Sequence, residues 1–362
     1  MPNWPSAPCT TRSIWKIRKS EMLSNEEVLD LFWKKGRAFL NTRYAIMGGA
    51  MSWVSEHNLV AAISNAGGFG VIAGGAMPAA VLKDEIAKTA ALTKNSFGVN
   101  LITMHPHLDE LIDVCIEMKI SHAILAGGIP TVQAIKRLKD AGIRVMCFAP
   151  ALVLAKKMVK SGADALILEG TEAGGHIGPV ATNILAQEIL PHMTDVPVFI
   201  AGGVGSGEMM AAFLGLGAAG CQLGTRFVCT DECIAHPNFK QAFIKANARD
   251  AVPTVQIDPR FPVIPVRAIV NEGTKRFMEF QMETIQKYQR GELELKAAQM
   301  AIENFWGGAL RRAVIDGDVE NGSLMAGQSV GLVKDIKPVQ AVVDELVAQA
   351  ADALRKLNRI PA

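Results

Sequence analysis

Short runs of apolar residues recur along the first two thirds of the chain, spaced roughly 20 to 25 residues apart. Each run is followed by a glycine-containing turn and then by apolar positions at helical spacing. Eight such units in succession predict a (β/α)8 TIM barrel of the α/β class. A doubly wound open sheet is the alternative, but it rarely needs eight evenly spaced parallel strands. The predicted strands are 44–47, 70–72, 97–101, 122–125, 144–148, 165–169, 198–201 and 220–223.

The alternation of predicted strands and helices ends near residue 231, which indicates a domain boundary there. We expect an N-terminal helical extension at 1–40, the barrel at 41–230, a mainly helical capping domain at 231–331 and a returning C-terminal helix at 332–362. Helical patterns in the capping domain cover 239–248, 273–289 and 293–302. Ser24 and Glu27 form a capping-box pattern that opens a helix in the extension. That helix is expected to serve packing or a contact in a homodimer.

Composition narrows the classes of function. The 362 residues carry a net charge of only +2, so no extended basic field predicts nucleic acid as a partner. No continuous apolar stretch predicts a signal peptide or a membrane span, and we expect a cytoplasmic protein. The six cysteines lack the density of a disulfide framework and are expected to be reduced. Cys229, Cys233 and His236 lack a fourth ligand nearby, so no metal site is predicted.

A glycine-rich loop with one histidine follows the sixth predicted strand. The loop includes Gly174, Gly175 and His176. Glycines allow backbone amides to approach a flat or anionic ligand, and an imidazole can move a proton near neutral pH. In a barrel this loop lies on the face that carries the active site. A tight turn with an incidental surface histidine is the alternative reading.

Two further glycine-rich turns follow the seventh and eighth strands. The first contains Gly202 and Gly203, and the second contains Gly224 and Thr225. Turns at these two positions, leading into helix N-termini, commonly bind a phosphate through backbone N–H groups. Taken alone, the first turn is also typical of a tight strand-to-helix connection. Its pairing with the second turn favours a phosphate site.

With these motifs in order, the chain resembles the FMN-dependent nitronate monooxygenases, also called 2-nitropropane dioxygenases, and the related flavin-type enoyl-ACP reductases. The resemblance covers nearly all of the chain after about residue 40. The motifs that carry it lie at 47–54, 64–70, 97–100, 172–178, 201–203 and 222–227, with further similarity at 236–240, 266–269, 317–319 and 325–328.

The resemblance implies FMN as cofactor and assigns roles to particular residues. The flavin ring would lie along Gly49, Ala50 and Met51, with Asn100 hydrogen-bonded nearby. Many relatives carry a glutamine or an Ala-Pro pair at Gly48 and Gly49, so backbone contacts are expected at that corner. The ribityl and phosphate side would lie against Gly174 and Gly175, and Gln222 would line the same site. The phosphate would bind Gly202, Gly203, Gly224 and Thr225. His176 would face the substrate and is the predicted catalytic residue.

Three functions remain open from the sequence. The first is a nitronate monooxygenase that uses O2 to convert alkyl nitronates to a carbonyl compound and nitrite. The second is an enoyl-ACP reductase that takes electrons from NAD(P)H and reduces an enoyl thioester. The third is a flavin- or phosphate-binding protein with little turnover, against which His176 argues because binding alone does not need it.

The sequence also suggests roles for several other polar side chains. His105 and His107 are either part of a substrate lid or exposed loop residues. Glu172 either orients His176, binds a cation or is a solvated carboxylate. Arg226 is either a phosphate contact or part of a structural ion pair. His122 is expected to be structural.

Overall fold

A computed structural model describes residues 23–258, 260–261 and 265–357. Its centre is an eight-stranded parallel sheet in the order β1-β9-β8-β6-β5-β4-β3-β2. The sheet closes on itself because the Phe69 carbonyl oxygen accepts from the Gly48 N–H at 2.9 Å and the Phe69 N–H donates to the Ile46 carbonyl at 2.8 Å. The predicted TIM barrel is confirmed. Its strands are β1 (Ile46–Gly48), β2 (Gly70–Ala73), β3 (Phe97–Ile102), β4 (His122–Ala126), β5 (Arg144–Phe148), β6 (Ala165–Glu169), β8 (Val198–Ala201) and β9 (Gly220–Leu223).

Helices surround the barrel and extend beyond it. None of the described helices is long and apolar enough to cross a membrane. The helices are α1 (Asn25–Leu40), α2 (His57–Asn65), α3 (Ala79–Leu92), α4 (Leu108–Glu117), α5 (Val132–Asp140), α6 (Leu152–Lys160), α7 (Thr182–Ile189), α8 (Gly207–Gly215), α9 (Thr225–Val228), α10 (Pro237–Lys245), α11 (Glu272–Gln289), α12 (Leu295–Arg311) and α13 (Val339–Leu357).

The strand register determines which side chains point into the barrel. Partners in a parallel register point to the same face, and residues two apart along a strand share that face. The ring of Phe39 lies 5.2 Å from the His122 ring on β4 and 6.2 Å from the Phe199 ring on β8. One side chain can contact strands three apart in the barrel only from inside it. His122 and Phe199 therefore mark the interior face.

The N-terminal helix closes the lower end of the barrel, where the strands begin. The predicted capping box is present, because Ser24 and Glu27 exchange hydrogen bonds at the start of α1. Gly36 allows α1 to approach closely: a Cβ there would lie 1.9 Å from the Ala219 carbonyl oxygen. The Phe39 ring, near the end of α1, packs against the interior side chains of His122 and Phe199. Residues 1–22 of the predicted extension lie outside the described residues.

The region after β9 contains more than the predicted helices. A three-stranded antiparallel sheet joins β10 (Ala251–Pro253), β11 (Val266–Ile269) and β7 (Gly175–His176). Helix α12 runs nine residues beyond the predicted end at Ile302. Helices α11 and α12 share a hydrophobic cluster of their own, which contains Phe261, Phe277, Ile285, Ala298, Ile302 and Ala309. The sheet was missed because its strands are short and lack an alternating pattern.

Burial of His122 predicts a specific dependence of stability on pH. Burial lowers the pKa of His122 from its ordinary 6.5 to about 4. The unfolded chain therefore binds a proton between these values that the folded chain excludes. We expect the free energy of unfolding to fall by up to about 3 kcal/mol as the pH drops from 6.5 to 4 through this residue alone.

The measurement is urea unfolding of the wild type and His122→Gln across this pH range. The neutral amide removes the titration, so its pH slope should be shallower than that of the wild type. Equal slopes for the two proteins would contradict the assignment.

Candidate functional site

Three polar side chains share the interior face at the upper end of the barrel, where the strands end. The register pairs Glu169 with Ala201 and Ala201 with Gln222. Asn100 pairs in register with Ile124, which lies two residues after the interior-facing His122 on β4. Asn100 therefore faces the interior as well. The Asn100 amide donates to the Ile124 carbonyl oxygen at 3.3 Å. The predicted site residues Asn100 and Gln222 therefore share one end of the interior, and Glu169 joins them.

The loop after β1 lies against the turn after β9, which joins two groups of predicted site residues. The Gly49 N–H donates to the Leu223 carbonyl at 2.8 Å, and a Cβ on Gly49 would lie 3.4 Å from the Gln222 amide nitrogen. A Cβ on Gly224 would lie 3.3 Å from the Met51 sulfur. Ala50 is half-buried between these contacts.

A buried serine holds the β1 loop in shape. The Ser55 hydroxyl donates to the Gly49 carbonyl at 2.9 Å and accepts from the Met51 N–H at 3.0 Å. Both bonds fix backbone groups on either side of Ala50. The loop is therefore held by hydrogen bonds within its own sequence.

The turn after β8 is built on two adjacent glycines. Gly202 and Gly203 have φ values of 87° and 72°, in the left-handed region that favours glycine. A Cβ on Gly202 would lie 3.1 Å from the Gly170 carbonyl oxygen, so a side chain would crowd the turn. The turn leads into α8, and backbone N–H groups at a helix N-terminus are a common place for a phosphate. These residues fit a phosphate group of a cofactor.

The segment at 326–327 connects the histidine loop to the turn after β9. The Gly327 N–H donates to the Thr225 hydroxyl oxygen at 3.0 Å. A Cβ on Gly174 would lie 2.5 Å from the Gly327 nitrogen and 2.6 Å from the Ala326 carbonyl carbon. Thr225 can still donate its own hydroxyl proton to an anion. Gly174 and Thr225 thus both contact the backbone segment 326–327.

His176 lies in a short strand of the small sheet. Gly175 and His176 form β7 and pair with Arg267 and Val266 of β11. The His176 side chain is exposed, so it faces away from the packed interior. The Arg267 guanidinium is buried and donates to the Thr171 carbonyl at 2.9 Å and the Ala251 carbonyl at 2.6 Å. The region after the barrel therefore holds the histidine loop by both backbone and side chain.

Glu172 and Arg226 each have a polar partner in the structure. The Glu172 carboxylate accepts from the Thr182 N–H at 2.9 Å and hydroxyl at 2.8 Å, so it anchors the start of α7. Thr182 is therefore the hydrogen-bond partner of this half-buried carboxylate. Arg226 is buried and pairs with the Asp335 carboxylate at 2.8 Å, which confirms the structural ion pair.

The histidines after β3 have loop environments. His107 is exposed, and its Nδ1 lies 2.9 Å from the Glu110 carboxylate. The His105 Nδ1 accepts from the His107 N–H at 3.1 Å. These contacts stabilise the start of α4, which is the exposed-loop reading. No contact to the other predicted site residues is recorded for either ring among the described residues.

Glu169 is a site residue that the sequence reasoning missed. It ends β6, and burial raises the pKa of its carboxyl group to about 8. Its side chain nevertheless keeps part of its surface accessible, as a group at the base of a cleft does. The signal was present in the sequence, because Asn100 and Gln222 are also polar residues near the ends of barrel strands.

Fold and loops together define a TIM-barrel protein with two glycine-containing turns and an exposed histidine at the same barrel end. Comparison with known proteins extends this description. The sequence model of the family "Nitronate monooxygenase" matches residues 35–115 and 107–349. The chain belongs to the nitronate monooxygenase family and is an oxidoreductase.

Its relatives carry several activities. The chain is 30% identical over 344 residues to a (3aS,4S,5R,7aS)-5-hydroxy-7a-methyl-1-oxo-octahydro-1H-indene-4-carboxyl-CoA dehydrogenase of Rhodococcus jostii, covering 89% of this chain and 96% of the relative. It is 28% identical to a probable nitronate monooxygenase of Staphylococcus aureus, covering 88% and 98%.

Solved structures similar to this chain also carry names of different activities. FabK from Thermotoga maritima superposes with a TM-score of 0.81 at 36% identity, covering 89% of this chain and 97% of that one. A nitroalkane oxidase from Streptomyces ansochromogenes gives a TM-score of 0.73 at 25% identity, covering 88% and 99%. The family is therefore common to these relatives, whereas the substrate differs among them.

The close contact at Gly174 generates a prediction with an internal control. In Gly174→Ala the new Cβ would meet backbone atoms of Ala326 and Gly327, so the histidine loop must move. A 1 Å displacement of a catalytic group can lower turnover about a hundredfold. We expect a loss of that order in Gly174→Ala.

Gly178 lies in the same loop, and a Cβ there would have no heavy atom within 4 Å. Gly178→Ala should therefore retain turnover within a factor of about two, since unstrained surface changes are nearly neutral. Steady-state kinetics of the two variants is the measurement. Equal activities would show that the Gly174 contact does not position the loop.

Proposed function

We propose that this protein is an FMN-dependent oxidoreductase whose substrate is an alkyl nitronate. The observation that carries the cofactor assignment is the pair of adjacent left-handed glycines, Gly202 and Gly203, at the end of the barrel where Gly224 and Thr225 also lie. Backbone N–H groups of these two turns would hold the FMN phosphate. Neither glycine carries a side chain that could block a phosphate from the backbone N–H groups of the first turn.

The rest of the flavin would follow the contacts between loops. Its ring would lie along Gly49, Ala50 and Met51, with the Asn100 and Gln222 amides beside it. Gly174 and Gly175 would lie against the ribityl and phosphate side. The contact of Gly49 with Gln222 and that of Gly174 with Gly327 support this arrangement, because they bring these residues to one barrel end.

When bound, FMN would supply the acceptor for electrons taken from the carbon of the substrate. The chain itself would orient the substrate and manage its charge and protons. His176 is exposed and sits on backbone fixed by β11, which suits a group that meets a diffusible substrate. Protonated, its imidazolium would attract an anionic nitronate, and neutral it could accept a proton. With O2 as co-substrate, the products would be a carbonyl compound and nitrite.

Oxidoreduction of an apolar acyl thioester is the second candidate, and a surface feature favours it. Met104, Ile129 and Val153 follow β3, β4 and β5 and are 66%, 52% and 77% exposed. All three belong to segments that leave the upper end of the barrel, and exposed apolar side chains there would suit a bulky apolar acyl group. One relative acts, by its name, on a carboxyl-CoA compound. NAD(P)H would then be the electron donor, as in the enoyl reductase alternative.

Replacing His176 separates its chemical role from a structural one. We expect His176→Asn to lower turnover by about 100-fold, the contribution typical of a positioned acid or base. FMN content should change little, because the proposed phosphate contacts come from other loops. Turnover and the ratio of flavin to protein are the two measurements. A parallel loss of both would reduce His176 to a structural residue.

Anaerobic reduction distinguishes the two substrates. The purified protein, loaded with FMN, is mixed separately with an alkyl nitronate and with NADH or NADPH while the flavin absorption band is followed. Bleaching by nitronate alone, with nitrite released when air is admitted, is the expected result. Bleaching only by a nicotinamide would favour the thioester reaction. A protein that binds no FMN would overturn both.

A further inference from the structure

One ionisable group inside the upper end of the barrel has no part in the function proposed above. Glu169 faces the interior, because the register Glu169–Ala201–Gln222 places the three residues on one face. That face is the interior, since Phe199, two residues before Ala201, contacts the central Phe39. The carboxyl group is therefore directed to the same space as Gln222.

The surroundings of Glu169 offer its charge little compensation. Phe148 on β5 and Ala201 on β8 are the interior-facing ends of the neighbouring strands, and neither carries charge. Gln222 on β9 and Asn100 on β3, farther around the barrel, are neutral amides. Among the described residues, no hydrogen bond or ion pair is recorded for the Glu169 carboxyl group.

The charged groups of the adjacent loops have other partners or other locations. The Glu172 carboxylate is bonded to Thr182, and the Arg267 guanidinium to the carbonyls of Thr171 and Ala251. His176 lies in β7 with its side chain exposed. Burial is accordingly the one cause that raises the pKa of Glu169, to about 8.

We propose that Glu169 is a protonated wall group of the FMN pocket, which donates a hydrogen bond as the neutral acid and weakens FMN binding when it ionises. This inference rests on the proposed function, because it takes FMN as the ligand. A ligand that covers the upper end of the barrel removes water from the accessible part of the side chain. Desolvation then disfavours the carboxylate still further, so FMN and the proton bind cooperatively.

The linkage has a definite sign. Below about pH 8 the carboxyl group is already protonated in the free protein, and FMN affinity is independent of this group. Above that pH, FMN binding must take up a proton, and the dissociation constant rises by up to tenfold per pH unit. Between pH 7 and pH 9 we expect the dissociation constant of the wild type to rise about tenfold.

The first experiment measures FMN binding to the deflavinated protein by fluorescence quenching from pH 7 to 9.5. Free FMN in the same buffers corrects for ionisation of the flavin ring. Glu169→Gln keeps the shape of the side chain but stays neutral, so its dissociation constant should be constant across this range. As a matched control, Glu117→Gln changes an exposed carboxylate on α4 and should retain the wild-type pH dependence.

A second measurement uses the wild type alone and does not depend on whether a variant folds. Calorimetric titration with FMN near pH 8.5, in two buffers of different ionisation enthalpy, gives the number of protons taken up. Net uptake that disappears at pH 6.5 is expected after correction for the FMN phosphate, whose second pKa is about 6.

The possible failures are distinguishable. A flat dissociation constant in the wild type, or the same rise in Glu169→Gln, would overturn the role of Glu169 while leaving FMN as the cofactor. Binding without proton uptake at pH 8.5 would do the same. Absence of FMN binding at every pH would instead overturn the proposed function.

Discussion

Closure of the parallel barrel between β1 and β2 is the constraint on which the other features depend. Two backbone hydrogen bonds at Phe69 turn an eight-stranded sheet into a cylinder, and the cylinder divides every strand into interior and exterior residues. At the lower end the interior is filled by Phe39, His122 and Phe199. At the upper end the same face carries Asn100, Glu169 and Gln222. Interior positions therefore serve packing at the lower end of the barrel and carry the polar residues of the candidate site at the upper end.

The loops at the upper end are held by contacts between elements far apart in the chain. Ser55 fixes the backbone around Ala50, and Gly49 joins the strand end at Leu223. Segment 326–327, which follows the capping helices, bridges Gly174 and Thr225. The region beyond the barrel therefore helps to hold these loops. It supplies the sheet partner of His176 and the Arg267 bonds that hold the start of its loop.

The sequence predicted the barrel well because buried parallel strands are short apolar runs and their spacing follows the length of a strand-helix unit. It also identified glycine turns, since Gly202 and Gly203 require a backbone that other residues avoid. It could not find β7, whose two residues become a strand only when β11 lies beside them. Nor could the sequence identify the partners of Glu172 and Arg226, because Thr182 and Asp335 come close to them only when the chain folds.

Taken by itself, the sequence determined which residues end the barrel strands and which turns are rich in glycine, because both are written in local patterns of size and polarity. Only the tertiary structure decided which side chains face a common space. Glu169 shows the difference: as a residue in the chain it is an ordinary acid that follows an apolar run. Inside the closed barrel it is surrounded by uncharged neighbours, and burial raises its pKa to about 8. Desolvation depends on all the strands around it, so no local pattern could have revealed that change.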